Sequence, residues 1–338
     1  MSTILSEKRT LSPWAKGGIG LGAGALLLVL VGLLFPTAAA FFPLVSLWCS
    51  CVLFYGALWV LHTAGVELDF FHRAVIIAFW AGAVLYFYWA LGRRQFIYAW
   101  DYVNYIQKQF NTEAAFALGP VAGFKYIIST FSEDYTNFIT LFTEFPFCLT
   151  AKTGDSYAFA QVFCVLPSLM LMLAGLTIKI GQMLEVKNKF WYFLIGFSWV
   201  LTYPFLRMSA MLAQPDWFGL IFAFAILLLT LDYRFEKLEP GRFVLIFLAT
   251  AAIILSRRWY LYFVVGYYFP MRFCSLSAVQ NSQNRAKKAL PCAEYATSSC
   301  LVSAPWQQWW SCSGPWSARS WLLTTPTAIR TIMSAALQ

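Results

Sequence analysis

Between residues 17 and 91 the chain is almost continuously apolar, and that stretch limits what it can become. Residues 17–35, 39–61 and 74–91 each approach the roughly 20 residues that cross a bilayer as a helix. Hydrocarbon offers no water to backbone N–H and C=O groups, so runs of this kind must satisfy them internally, as helices do. Only 12% of the residues are charged and 60% are hydrophobic, whereas a soluble domain carries about 25% charge. The expected fold is an all-α polytopic membrane protein.

More apolar runs follow at 158–178, 190–206, 217–231 and 243–255, and another begins at Trp259. Seven or eight transmembrane helices are expected. Pro36 marks the first break. A second run follows the first at once, so 17–35 reads as a retained span rather than a cleaved signal. The order is then a cytoplasmic N-terminus (1–16), three spans (17–92), an outer loop with interfacial helices (93–157), four to five spans (158–270) and a tail (271–338). With the N-terminus inside, the cytoplasmic loops hold slightly more Lys and Arg than the outer ones, as the positive-inside rule asks. The location read from this is a plasma membrane, crossed several times.

The net charge is +9, from 24 basic and 15 acidic residues. The basic residues gather at the ends of apolar runs. That position suits membrane lipids or a phosphate-bearing substrate, and nucleic acid is not expected as a partner. Two histidines, His62 and His72, and eight cysteines show no zinc-ligand spacing. Cys49 and Cys51 read as free thiols inside an apolar run. No metal ligand and no cofactor is assigned, and a divalent-metal requirement stays open.

The loop after the third span opens with Trp100-Asp101-Tyr102-Val103-Asn104-Tyr105. It contains two amphipathic stretches, 98–110 and 124–145, whose apolar residues recur at three- and four-residue steps, as in helices lying in a membrane interface. Pro146 is expected to end the second. Asp101 and Tyr105 share a helix face, one turn apart. A carboxylate at an aromatic membrane edge can serve as a general base or bind a polar acceptor; the plainer reading is a solvated belt residue. Asp134, in Glu133-Asp134-Tyr135, is a second acidic spot or simply a solvated helix face. Arg207 with Gln214-Pro215-Asp216 forms a polar turn between spans. Arg257-Arg258 sits between apolar runs, where arginine must reach an interface, a cavity or an anion. The planar guanidinium fork suits phosphate, although snorkelling at a span end accounts for it equally. The expected topology puts all four spots on one side. Acid plus arginine there suits group transfer from a lipid phosphate, or ion-coupled transport.

These motifs resemble the GT-C class of membrane glycosyltransferases, which includes the protein O-mannosyltransferases and the aminoarabinose transferases of lipid A. Trp100-Asp101-Tyr102 is similar to that class's early acidic motif. Glu133-Asp134-Tyr135, followed by 142–147, resembles its helix before the next span. Gln214-Pro215-Asp216 resembles its turn before a later span, and Ser256-Arg257-Arg258-Trp259 its basic position at the outer face. The likeness covers about residues 74–270. It implies Asp101 as catalytic base or acceptor-orienting carboxylate, and Arg257 or Arg258 as neutraliser of the phosphate of a polyprenyl-phosphate sugar. Tyr105, Asp134, Arg207, Gln214 and Asp216 would line the substrate site. Two departures stand out. Two extra spans precede the early acid, and the spans are fewer than that class carries, as in a truncated member.

After about residue 271 the character changes. Residues 271–338 hold one phenylalanine, one acid, eleven serines and five tryptophans, with no run of spanning length. Five tryptophans fit a disordered tail badly. A shifted reading frame near residue 271 is expected to account for them. Reading the gene in its other two frames tests this, because one of them should continue the hydrophobic pattern. The expected function is transfer of a sugar from a polyprenyl-phosphate donor. The alternative is a transporter or flippase for an anionic lipid or solute, using the same arginines without needing Asp101.

Overall fold

Ser12 caps the first helix, its hydroxyl accepting the N–H of Ala15, and Pro13 fills the first turn, where an absent N–H costs nothing. This helix, α1 (Pro13–Leu34), is followed by α2 (Phe41–Thr63) and α3 (Phe70–Leu91). The computed structural model describes residues 12–35, 40–91, 93, 101–134, 136–202, 216–231 and 239–269, all within the unit Met1–Ser275. The tail 271–338 lies outside the described residues.

The described elements continue as α4 (Asp101–Ala117), α5 (Pro120–Ser129), a 3-10 turn (Thr130–Ser132), α6 (Thr140–Phe147), α7 (Gly154–Cys164), α8 (Leu166–Met183), α9 (Lys189–Thr202), α10 (Asp216–Thr230), α11 (Pro240–Ser256) and α12 (Tyr260–Phe269). No strand occurs among the described residues. Four helices are long and apolar enough to cross a membrane: Trp14–Leu34, Phe41–Thr63, Phe70–Ala90 and Leu166–Met183. The expected run 158–178 is divided between α7 and α8 at Val165, with Pro167 in the first turn of α8. Over the described residues, α9 to α12 are shorter than the roughly 20 residues of a span.

Burial sorts these helices. In α8, 67% of the spanning window is buried, against 6% in Trp14–Leu34 and 11% in α3. So α8 is the central helix, and α1 and α3 present apolar side chains outward, among them Leu33, Leu34, Leu85 and Tyr88. Lipid tails are as apolar as leucine, so close packing rather than water exclusion must hold such helices together. Gly175 shows how. A Cβ there would lie 2.1 Å from Leu61 Cδ2, so the missing side chain lets α2 approach α8. Basic residues at helix ends satisfy carbonyls that no helical N–H can reach. Lys179 Nζ donates to Ala64 O at 2.8 Å, and Arg242 Nε to Leu229 O at 2.7 Å.

The stretch 124–145 is not one amphipathic helix. It breaks from Thr130 to Ile139. Hydroxyl side chains compete with the helical ladder there. Thr130 Oγ1 donates to Ile127 O and accepts the N–H of Asn137, and Ser129 Oγ donates to Tyr126 O. Glu133 and Asp134 therefore sit in the break and not on a helix face. Pro146 lies inside α6, one residue before its end. Having no N–H, it cannot bond the carbonyl of Phe142. The Ser50 hydroxyl of α2 lies 3.1 Å from that oxygen and 2.9 Å from Ser46 O, so its one proton is shared between the two carbonyls.

Candidate functional site

The break 130–139, the start of α10 and the end of α11 come together at one end of the bundle. Arg257 adopts an extended backbone and stops α11. Its guanidinium Nη1 lies 2.5 Å from Asp216 Oδ1, and the two side chains are only 17% and 28% exposed. Asp216 opens α10, where a carboxylate also favours the positive end of the helix dipole. Tyr260, at the start of α12, donates its hydroxyl to the Asp216 carbonyl. Gly219, one turn into α10, makes room for the Tyr260 ring; a Cβ would stand 2.1 Å from it. Arg258 reaches the other way, 3.2 Å from Asp134, with both side chains exposed. The Thr136 hydroxyl donates to Leu255 O, one of the last four carbonyls of α11. Asp134, Asp216, Arg257 and Arg258, expected on one side, are thus neighbours in two ion pairs.

Asp101 is the first residue of α4; its side chain, Trp100, Arg207 and Gln214 lie outside the described residues. Tyr105 is 1% exposed and packed in the core. Its ring packs α4 against the rest of the bundle.

Family models, curated proteins and solved structures all fail to match this chain. The likeness to the GT-C class therefore rests on the short motifs alone. Among the described residues, no group of three or more His, Cys, Asp and Glu could hold a metal ion.

A second polar site, absent from the sequence expectations, lies between α4 and α6. Glu144 is 1% exposed. Gln109 Nε2 donates to its Oε2 at 2.5 Å, and Thr143 Oγ1 donates to Gln109 Oε1 at 2.8 Å. One turn further along α4, Thr112 receives the Asn137 amide at 3.2 Å and the Thr140 hydroxyl at 3.4 Å. Burial pushes the Glu144 carboxyl up to about 7, against a smaller lowering by the Gln109 hydrogen bond. Nearby Glu113 holds Lys152 in an ion pair, which raises the lysine above its ordinary range.

The α4 half of this site had a signal in the sequence. Tyr105, Gln109, Thr112 and Phe116 recur at steps of four, three and four, so they form one buried stripe of α4. Two of the four are polar, and a buried polar stripe needs a matching polar partner.

Proposed function

We propose that the chain is a membrane glycosyltransferase that moves a sugar from a polyprenyl-phosphate donor to an acceptor hydroxyl at the outer face of the plasma membrane. One observation carries this reading. Two arginines that follow one helix in succession are held by carboxylates from two distant segments, Asp216 and Asp134, at one end of the bundle. In this reading the bundle has seven or eight spans, with α9 to α12 completing the crossings.

Displacement at the anomeric carbon breaks the bond from sugar to phosphate and leaves charge on the departing phosphate oxygen. Preorganised cations next to that oxygen lower the barrier. Arg258 is the first candidate, because an exposed ion pair contributes only about 0–1 kcal/mol and exchanges its carboxylate readily for a phosphate. Arg257, held more tightly between α10 and α11, fixes the geometry of the turn. Asp101 takes the proton of the attacking hydroxyl or orients it. The test is sugar transfer by purified protein in lipid. Asp101→Asn is expected to abolish transfer while leaving membrane insertion unchanged. Retained turnover in that variant removes Asp101 from the mechanism.

The same ion pairs favour a second reading, a transporter or flippase for an anionic lipid or solute. There the anion would displace Asp134 and Asp216 in turn, and Asp101→Asn would leave activity intact.

A further inference from the structure

The least expected group in the described residues is Glu144. A carboxylate this deep is normally matched by a cation or by several donors. Among the described residues, the side-chain donor to Glu144 is the neutral amide of Gln109. The lysine that acts on it, Lys152, is already engaged by Glu113. The orientation of the amide is set from the far side. Thr143 donates to Gln109 Oε1, so the N–H2 end of Gln109 must face the carboxyl. An amide N–H can donate to the carbonyl oxygen of a neutral acid as well as to a carboxylate. The cradle therefore fits Glu144 in either protonation state, and its lack of a direct cation favours the neutral one.

We propose that Glu144, held by Gln109 between α4 and α6, is a buried proton-binding site whose filling and emptying tightens and loosens the α4–α6 seam. On release the carboxyl O–H bond breaks, its electron pair stays on oxygen, and the proton goes to water. The resulting charge lies beside the Glu113 carboxylate. The groups that act on Glu144 are Glu113 of α4 and Lys152 beyond α6. Cys148, just after α6, is itself influenced by Glu144. On the other packed helices, α2 carries Cys49, one turn from Ser46, whose hydroxyl accepts the N–H of Phe145, and α7 carries Asp155 and Tyr157. Since the raised carboxyl lies near 7, ordinary changes of pH would change its state. The site adds a proton-dependent step to either activity above and requires neither.

Infrared titration of the full chain in lipid nanodiscs reads the proton directly. Wild type is expected to show a protonated-carboxyl C=O band that disappears near neutral pH and is missing in Glu144→Gln. Two further variants guard against misfolding of that one. Lys152→Met removes a cation and exposes Glu144 to an unpaired Glu113, so the midpoint should rise. Glu113→Gln removes an anion and releases Lys152, so the midpoint should fall. Opposite shifts support the proposal. A wild-type carboxyl that titrates only in the ordinary acid range, or a band unchanged in Glu144→Gln, overturns it. So do shifts of the same sign in the two flanking variants. None of these readouts depends on sugar transfer.

Discussion

At the level of single residues, Glu144 and Gly219 have the sharpest consequences. Glu144 is raised from 4.5 to about 7 in the folded chain. A raised carboxyl stabilises the fold fully below its unfolded value and loses that contribution as pH climbs through the folded value. The unfolding midpoint of wild type in detergent should therefore fall between about pH 4.5 and 7 relative to Glu144→Gln. Parallel profiles for the two proteins would contradict this. Gly219→Ala is expected to push the Tyr260 ring away from the Asp216 carbonyl, because a Cβ enters the ring's space. Reduced tyrosine burial, read by ultraviolet absorbance, checks it, and overpacking of this kind costs about 1–3 kcal/mol. The acids and arginines of the candidate site were legible in the sequence because charge between apolar runs is conspicuous. Glu144 was not, since it stands among Phe142, Phe145 and Phe147 and its exposure depends on where α4 docks.

At the level of helices, the informative feature is the break between α5 and α6. Apolar spacing alone favours one helix over 124–145, and the spacing is real. It fails to predict the break because three hydroxyl residues, Ser129, Thr130 and Thr136, offer backbone partners of their own. The break has two uses. It frees Asp134 to reach Arg258, and it lets Thr136 close the end of α11. Asn137 is fully buried and ties the break to Thr112 of α4. Asn137→Ala should destabilise the fold by about 1–3 kcal/mol, the usual cost of stranding a buried hydrogen-bond partner. Hydrogen exchange should show the loss concentrated in α4 and residues 130–147. Uniform loss across α8 and α10 would instead indicate a general packing defect. The amphipathic stretches were legible as helical, but their bounds were not: α4 runs to Ala117, past the expected end at 110, and α5 stops at Ser129, well inside 124–145.

At the level of the whole chain, hydropathy identified the helical class, and four helices meet the length and composition of a span. What hydropathy could not rank is burial. The runs that become α1 and α8 are both apolar, yet one is almost fully outward-facing and the other central. The difference lies in contacts between distant segments, such as Leu61 over Gly175 and Trp217 Nε1 donating to Gln161 Oε1 at 2.8 Å. Gly175→Val should separate α2 from α8 and lower thermal stability more than Gly20→Val on the open face of α1, where a Cβ meets nothing. Equal losses would place the centre of the bundle elsewhere.

The clustering of acids and arginines at one end fits either proposed activity, transfer or transport, so an assay must decide. Purified protein in sealed vesicles would be given polyprenyl-phosphate carrying a labelled sugar, with and without hydroxyl-rich peptide and lipid A as acceptors. Glycosyl transfer predicts label leaving the donor only when an acceptor is present, and no transfer by Asp101→Asn. Labelled lipid or anion crossing the bilayer equally well without acceptor would contradict it.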